Sequence, residues 1–322
     1  RRGPGARDPM SRIAVLKGGR SLERHVSLRS GQRVEDALRR LGHEVTGIDV
    51  GPGLVGRLRE LAPDLAFIAL HGREGEDGTV QELLELLGVP YTGSGPSACG
   101  QCWDKVQAKH LMRDHGIPTP DFHAFSEAAF KDLGAADALP AIEERLEFPI
   151  VVKPARGGSS LGVKFASSAA QVPGALIAAF SYDRKVLLER HVAGHDLAVS
   201  IVDGEALPVV EAVPNDEAFY DFEARYEIGR TTFVCPARLS DEDTARAQAL
   251  ALEAWSLFGC RGFARVDLMR DAQTGELTVL EVNAVPGLTD TSLLPQAADE
   301  AGLGFDDLVA RIVELALPGV SA

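Results

Sequence analysis

No apolar run in this chain approaches the roughly 20 residues that a helix needs to cross a bilayer, which argues against a helical membrane protein. Positive charge is in deficit too. Thirty-three Lys and Arg face 47 Asp and Glu, for a net charge of −14, so nucleic acid is not expected as a general partner. A local basic pocket for nucleotide phosphates remains open. The opening RRGPGARDPM is charged and rich in Gly and Pro, without the apolar core of a signal peptide, and residues 1–11 read as a disordered lead. Cysteine is scarce, at four residues. Cys99 and Cys102 form a C-x-x-C, a spacing open to metal or redox chemistry. No second such pair and no nearby His pair completes a tetrahedral site, and Cys235 and Cys260 sit alone in apolar surroundings. Reduced structural thiols in a cytoplasmic protein are the expectation.

What is present is an ordinary globular composition, 45% hydrophobic and 25% charged, over 322 residues, enough for two or three domains. The first third alternates strand and helix. Arg12–Leu16 is a short apolar strand, Ser27–Leu41 has helical periodicity, and His43–Val50 is strand-like. Leu65–Leu70 is a near-continuous apolar run, as a buried parallel strand requires. A helix over Thr79–Leu87 and a short strand with a turn over Val89–Gly95 follow. This alternation predicts a doubly wound parallel sheet, whose ligands sit at the carboxyl ends of strands. The glycine-rich loops after Leu16 and after Leu70 both fall at such ends.

The middle of the chain differs. Asp104–His115 reads as a charged helix. Phe148–Pro154 is a strand carrying Lys153 among apolar residues, and it runs into a Gly/Ser loop, residues 155–162, before the strand Val163–Ala166. Backbone N–H groups of such a loop can fold over phosphates, although the loop does not fit the G-x-x-x-x-G-K-[ST] pattern. Lys185–Glu189 is the next strand, and its terminal acid is placed to accept hydrogen bonds from an adenine amino group or a ribose.

Two carboxylates then occur in apolar strand-like runs, GFARVDLM and LTVLEVNAVPG, joined by the turn Asp271–Gly275. Alternation puts Arg265 on one face with Asp267, and Glu281 on one face with Asn283. Two carboxylates, an amide oxygen and a guanidinium thus gather at one place. Such oxygens suit a hard ion like Mg2+ completed by substrate phosphates and water. The plainer alternative is a hairpin with an acidic solvated face.

Motifs in order along nearly the whole chain carry a resemblance: GGRSLERHVSLRSG (18–31), ALHGREGEDGTVQ (69–81), PYTGSG (90–95), Asp104-Lys105, PIVVKPARGGSSLGV (149–163), FYDFEARY (219–226), FARVD (263–267) and LEVNAVPGLTDTSLLP (280–295). The chain resembles the D-alanyl-D-alanine ligases of the ATP-grasp superfamily over residues 12–317. The resemblance implies an α/β fold, with α+β character in the ATP-grasp part. It implies an N-terminal α/β substrate domain (12–101), a central ATP-grasp domain (102–193) and a C-terminal ATP-grasp domain with the metal site (194–322). It also implies ATP as co-substrate, two Mg2+ ions with Mn2+ as a substitute, two D-alanines joined through an acyl phosphate, a homodimer, and a place in peptidoglycan precursor synthesis.

Site residues carry over from the resemblance position by position. Lys105 and Lys153 match phosphate lysines, and Ser159 and Ser160 lie in the closing loop. Glu189 matches the adenine-side acid and Asp196 the ribose acid. Asp267, Glu281 and Asn283 match the metal ligands, and Arg265 with the Gly287 N–H the oxyanion site. Glu23 matches the holder of the first substrate's ammonium and forms a triad with Ser159 and Tyr226, while His71 matches a residue beside that substrate. Ser292 and the backbone at Leu293 match the holder of the second substrate's carboxylate. The chain departs from the family at Arg225, where Lys is usual, at Asp196, where Glu is usual, and at His25 and the Cys99–Cys102 segment. A planar guanidinium is not interchangeable with an ammonium, so Arg225 and His25 leave open an ATP-grasp ligase that joins other amino acids. The complete set of Arg265, Asp267, Glu281 and Asn283 argues against an ATP-binding protein without catalysis.

Overall fold

The computed structural model describes residues 10–134, 139–214 and 231–317. Of the expected lead, residues 1–9 fall outside these. Ser11, counted with that lead in the sequence, is buried, and its carbonyl accepts from the Glu44 N–H.

Three sheets form the frame. In the first, β1 (Arg12–Lys17) lies between β2 (Glu44–Asp49) and β3 (Leu65–Ile68), all parallel. Successive β1 side chains enter opposite layers, as strand alternation dictates. Ile13 and Val15 pack toward helix α1 (Arg24–Arg40), whereas Ala14 and Leu16 pack toward α2 (Leu54–Leu61) and α3 (Thr79–Leu87). Helices therefore cover both faces, and both glycine-rich loops leave the same end of the sheet. The 89–95 segment is not a regular strand. It meets the sheet through one bridge between Ala66 and Tyr91 and through Thr92 Oγ1, which accepts from the Ile68 N–H at 3.0 Å.

Two short helices, α4 (Pro96–Trp103) and α5 (Lys105–Asp114), lead to an antiparallel sheet. Its order is β4 (Phe122–Ser126), β7 (Lys185–Arg190), β5 (Ile150–Pro154), β6 (Lys164–Ala166). Helices α6 (Glu127–Asp132) and α7 (Leu139–Leu146) precede β5, and α8 (Val172–Phe180) follows β6. Leu146, Val152, Leu176 and Leu188 belong to the core beneath this sheet.

The third sheet runs β11 (Thr231–Val234), β10 (Val210–Pro214), β8 (Gly194–Val202), β12 (Phe263–Asp271), β13 (Leu277–Asn283), with the short β9 (Glu205–Ala206) beside β8. Helix α9 (Asp241–Phe258) presents Ala247, Ala251 and Ala254 to it, and these small side chains bring the helix close to the strands. Helices α4 and α5 pack on β13. Helix α10 (Leu293–Glu300) follows the sheet, and the last helix, α11 (Phe305–Ala316), crosses back to bury Leu308 and Ile312 against the first sheet. Neither packing choice follows chain order.

Ala251 is fully buried in the α9 face. Ala251→Leu is expected to cost about 1–3 kcal/mol through overpacking, read as a lower urea midpoint. An unchanged midpoint would mean that the helix has room to shift.

Candidate active site

The β12–β13 hairpin supplies the first wall. Its register places Arg265 opposite Asn283 and Asp267 opposite Glu281, so all four share one face. A register shift follows Asp267, where Leu268 pairs with Val279 and Leu280 becomes the extra residue. Bulges re-aim side chains beside sites, and here both Leu280 and Glu281 line the cavity. Between these polar residues, Val266 and Val282 are buried in the opposite layer. The solvated-face alternative does not describe this hairpin.

Asp267 and Glu281 each face a cation of the chain. Arg265 donates to Asp267 through Nε at 2.7 Å and Nη2 at 2.8 Å, and Asn283 Nδ2 donates to Asp267 Oδ2 at 3.0 Å. Lys105 Nζ lies 3.0 Å from Glu281 Oε2 and donates to the Gly157 carbonyl at 2.7 Å. Burial alone would raise the Glu281 carboxyl, but Lys105, Lys153 and Arg265 hold it down to about 2. Burial disfavours the charge on Lys105, and Glu281 more than compensates, raising its pKa.

The second wall is the N-terminal sheet edge. Ser21 donates to the His71 carbonyl at 2.6 Å, joining the two glycine-rich loops. His71 Nε2 lies 2.9 Å from Ser30 Oγ, which accepts from the Leu288 N–H at 3.2 Å. The Glu23 carbonyl begins α1 by accepting from the Ser27 N–H, while its side chain leaves the helix to accept from the Ser159 hydroxyl. Ser159 and Ser160 both hold left-handed backbone, φ 49° and 54°, a strained arrangement that local contacts must support. A Cβ at Gly158 would lie 2.8 Å from the Glu23 carboxylate, so the loop approaches α1 because that residue has no side chain. Burial and the nearby Glu76 carboxylate raise the Glu23 carboxyl above its ordinary value, against the Ser159 hydrogen bond.

The third wall is the Gly287–Leu293 turn. Ser292 Oγ accepts from the Thr289 N–H at 3.0 Å and lies 2.8 Å from Thr289 Oγ1. Ser292 therefore stands at the start of α10 without capping it through its side chain. A Cβ on Gly287 would fall 2.7 Å from Ser292 Oγ.

A cavity of about 470 Å³ lies between these walls, lined by Glu23, His71, Ser159, Ser160, Asp196, Arg265, Asp267, Glu281, Asn283, Gly287, Ser292 and Leu293. A smaller cavity of about 60 Å³ shares Gly158, Ser160, Leu161, Leu280 and Glu281 with it and adds Lys105 and Lys153. The structure thus gathers twelve expected residues in one cavity and the two phosphate-lysine candidates in its extension. Glu189 lies below the walls. Its Oε1 accepts from Lys153 at 3.0 Å and its Oε2 lies 2.5 Å from Lys109 Nζ, so both oxygens face lysines. Arg225 and Tyr226 lie outside the described residues.

The sequence reading missed Glu76, Arg29, Thr289 and Lys109. Of these, Lys109 had a local signal, standing one helical turn after Lys105. All four cysteines are free. Cys260 is not alone, however; it shares a core cluster with Cys99 and Cys102, where burial pushes the Cys99 thiol up to about 12. Among the described residues no group of three His, Cys, Asp or Glu side chains forms an all-protein metal cage. Two carboxylates and an amide oxygen on one face fit instead an Mg2+ ion that shares its shell with phosphates and water.

Burial would raise the Glu189 carboxyl, but Lys109 and Lys153 outweigh it and hold its pKa below the ordinary value. The stabilisation this gives is present above the unfolded carboxylate pKa of about 4.3 and is lost as pH falls through the lower folded value. Glu189→Gln should therefore cost about 3–5 kcal/mol at pH 7, because it breaks a buried pair. The deficit should shrink below about pH 4, as read from urea unfolding. A deficit independent of pH would contradict the charge assignment.

Family profiles described as D-ala D-ala ligase N-terminus and C-terminus match residues 55–94 and 111–314. A D-alanine–D-alanine ligase of Marinomonas sp. is 44% identical over 308 residues, covering 94% of each chain. One from Syntrophotalea carbinolica is 45% identical over 302 residues, covering 94% of this chain and 95% of the relative. A crystal structure of D-alanine–D-alanine ligase from Bacillus anthracis superposes with a TM-score of 0.82 at 36% identity, covering 95% of this chain and 97% of that one. A structure of the Bacillus anthracis ligase complexed with ATP gives 0.80 at 33% identity, with the same coverage of each chain. By sequence and by structure, the chain belongs to the D-alanine–D-alanine ligase family.

Proposed function

We propose that this chain uses ATP to join two D-alanines into D-alanyl-D-alanine, a peptidoglycan precursor, through an acyl phosphate. The observation that carries the reading is the polar face of the hairpin, Arg265, Asp267, Glu281 and Asn283, with Lys105 and Lys153 lining the cavity that adjoins it at Glu281. A carboxylate and a triphosphate repel one another, and only a site that supplies positive charge to both brings them together. The cytoplasm and a homodimer are the setting that the family resemblance supports.

In the first step a carboxylate oxygen of the first D-alanine attacks the γ-phosphorus. The bond to the β,γ-bridging oxygen breaks and ADP leaves. Lys105 and Lys153 lie where they can hold the phosphates, and Arg225 is proposed beside the transferred one. Asp267, Glu281 and Asn283 would hold Mg2+, which when bound neutralises phosphate charge. Asp196, which also lines the cavity, is proposed to take the ribose. Glu23 would anchor the substrate ammonium, with His71 beside it. The Glu23–Ser159 hydrogen bond draws the Gly/Ser loop over the cavity and limits water that would hydrolyse the acyl phosphate.

In the second step the free amine of the second D-alanine attacks the acyl carbon, the bond to the phosphate oxygen breaks, and inorganic phosphate leaves, taking up the proton that the nitrogen gives up. Negative charge develops on the carbonyl oxygen, where Arg265 and the Gly287 N–H would stabilise it. One preorganised donor of this kind is typically worth about 3–4 kcal/mol. Ser292 and the Leu293 N–H would hold the second carboxylate, and Tyr226 favours an amine as the attacking group. Glu189 enters the nucleotide site through Lys153.

ADP release should require both D-alanine and Mg2+, and mass analysis should show the D,D-dipeptide. A strong preference for other amino acids would overturn the substrate assignment. Asp267→Asn should lower kcat by about 10²–10³ with an unchanged urea midpoint, and near-normal turnover would remove it from the metal set. Glu23→Gln should mainly raise the KM of the first D-alanine, by about tenfold or more for a lost charge-assisted hydrogen bond. Gly287→Ala should raise the KM of the second D-alanine by pushing Ser292 aside. Unchanged affinity for both substrates would separate that turn from the acceptor.

A further inference from the structure

Lys109 is fully buried, yet the mechanism above gives it no task. Its ammonium lies 2.5 Å from Glu189 Oε2 on β7 and donates to Thr119 Oγ1 at 2.5 Å. Thr119 passes the contact on by donating to the Val279 carbonyl of β13 at 2.8 Å. The other Glu189 oxygen accepts from Lys153 of β5 at 3.0 Å. The Phe122 ring lies 5.6 Å from the ammonium, and Glu281 on β13, itself paired with Lys105, is the remaining charge that acts on it.

Two lysines thus share one carboxylate in the floor of the site, leaving one positive charge in surplus. Packing alone does not call for this arrangement, since apolar or neutral side chains of similar volume replace buried ion pairs at little or no cost. With Lys109 absent, Glu189 would have Lys153 as its single close counter-ion. That pair would be neutral and would offer little to a polyphosphate. With Lys109 present, Glu189 is already balanced, and the charge of Lys153 is left over at the cavity it lines.

We propose that Lys109 is a positioning residue for nucleotide binding: it occupies Glu189 so that the Lys153 ammonium stays available to the phosphates of ATP. The Thr119 contact holds this three-group unit to the strand that carries Glu281. The inference rests on reading the cavity as the ATP site.

The test is titration of the full-length protein with ADP, followed by calorimetry, for wild type, Lys109→Met, Lys153→Met and the double variant. Lys109→Met should weaken ADP by about tenfold, a typical coupling between contacting charges. The KM of either D-alanine should stay within about twofold. In the Lys153→Met background the same substitution should have little further effect, because the lysine it frees is gone. Equal losses in both backgrounds, or an unchanged ADP affinity, would overturn the proposal. A wild-type protein that does not bind ADP would instead overturn the reading of the site. If Lys109→Met fails to fold, Lys109→Gln, which removes the charge but keeps a donor toward Thr119, takes its place. A tenfold loss of ADP affinity supports the proposal, and an unchanged affinity overturns it.

Discussion

The structure depends most on the in-register pairing of Arg265 with Asn283 and of Asp267 with Glu281. A slip of one residue would turn the four polar groups into the hydrophobic layer and bring Val266 and Val282 to the cavity. The core of the third sheet forbids that, because those valines pack with Leu268 and the alanine face of α9. The chemistry of the hairpin is thus secured by the packing behind it. The bulge at Leu280 adds a local turn of the strand that a flat ladder would not provide.

Pairing also explains how carboxylates persist in half-buried positions. An uncompensated charge there would shift its pKa and become neutral. Asp267 has Arg265, Glu281 has Lys105, and Glu189 has two lysines. The lysines hold the Glu281 and Glu189 carboxyls below their ordinary values. On the proposed mechanism, nucleotide and ion would exchange with the pairs rather than fill a preformed vacuum of charge. Binding then redistributes existing contacts, which lowers the electrostatic cost of bringing a triphosphate into a protein that carries a net negative charge.

The hairpin was legible in the sequence because alternation and turn composition are local signals, and polar residues in an apolar strand are conspicuous. The helix Thr79–Leu87 was read to the residue, between two left-handed glycines. Helix α1 begins earlier than its periodicity indicates, at Arg24, because the carbonyl of Glu23 starts it although the side chain gives no cap. The 89–95 segment reads as a strand from its apolar start, but its pairing with the sheet is a single bridge at Tyr91. What stayed hidden was non-local: Cys260 beside the C-x-x-C, α11 against the first sheet, and Lys109 beneath Glu189. A strand-end acid looks the same in sequence whether it faces solvent, adenine or two lysines.

The Glu23–Ser159 contact shows how the cavity walls are joined. Glu23 belongs to the N-terminal sheet edge, Ser159 to the loop after β5, and the hydrogen bond crosses 136 residues of sequence. Ser159 makes it from left-handed backbone, which costs energy that the contact must offset. Glu23 is itself buried near Glu76, and its raised pKa shows that its negative charge is under-compensated there. A carboxylate in that condition favours a cation, and an amino acid's ammonium supplies one. On the proposed mechanism, the first substrate would therefore offset an under-compensated charge on the residue that anchors the loop. The carboxylate that anchors the loop would then also be the one that holds the substrate, so one residue ties the loop to the occupied site.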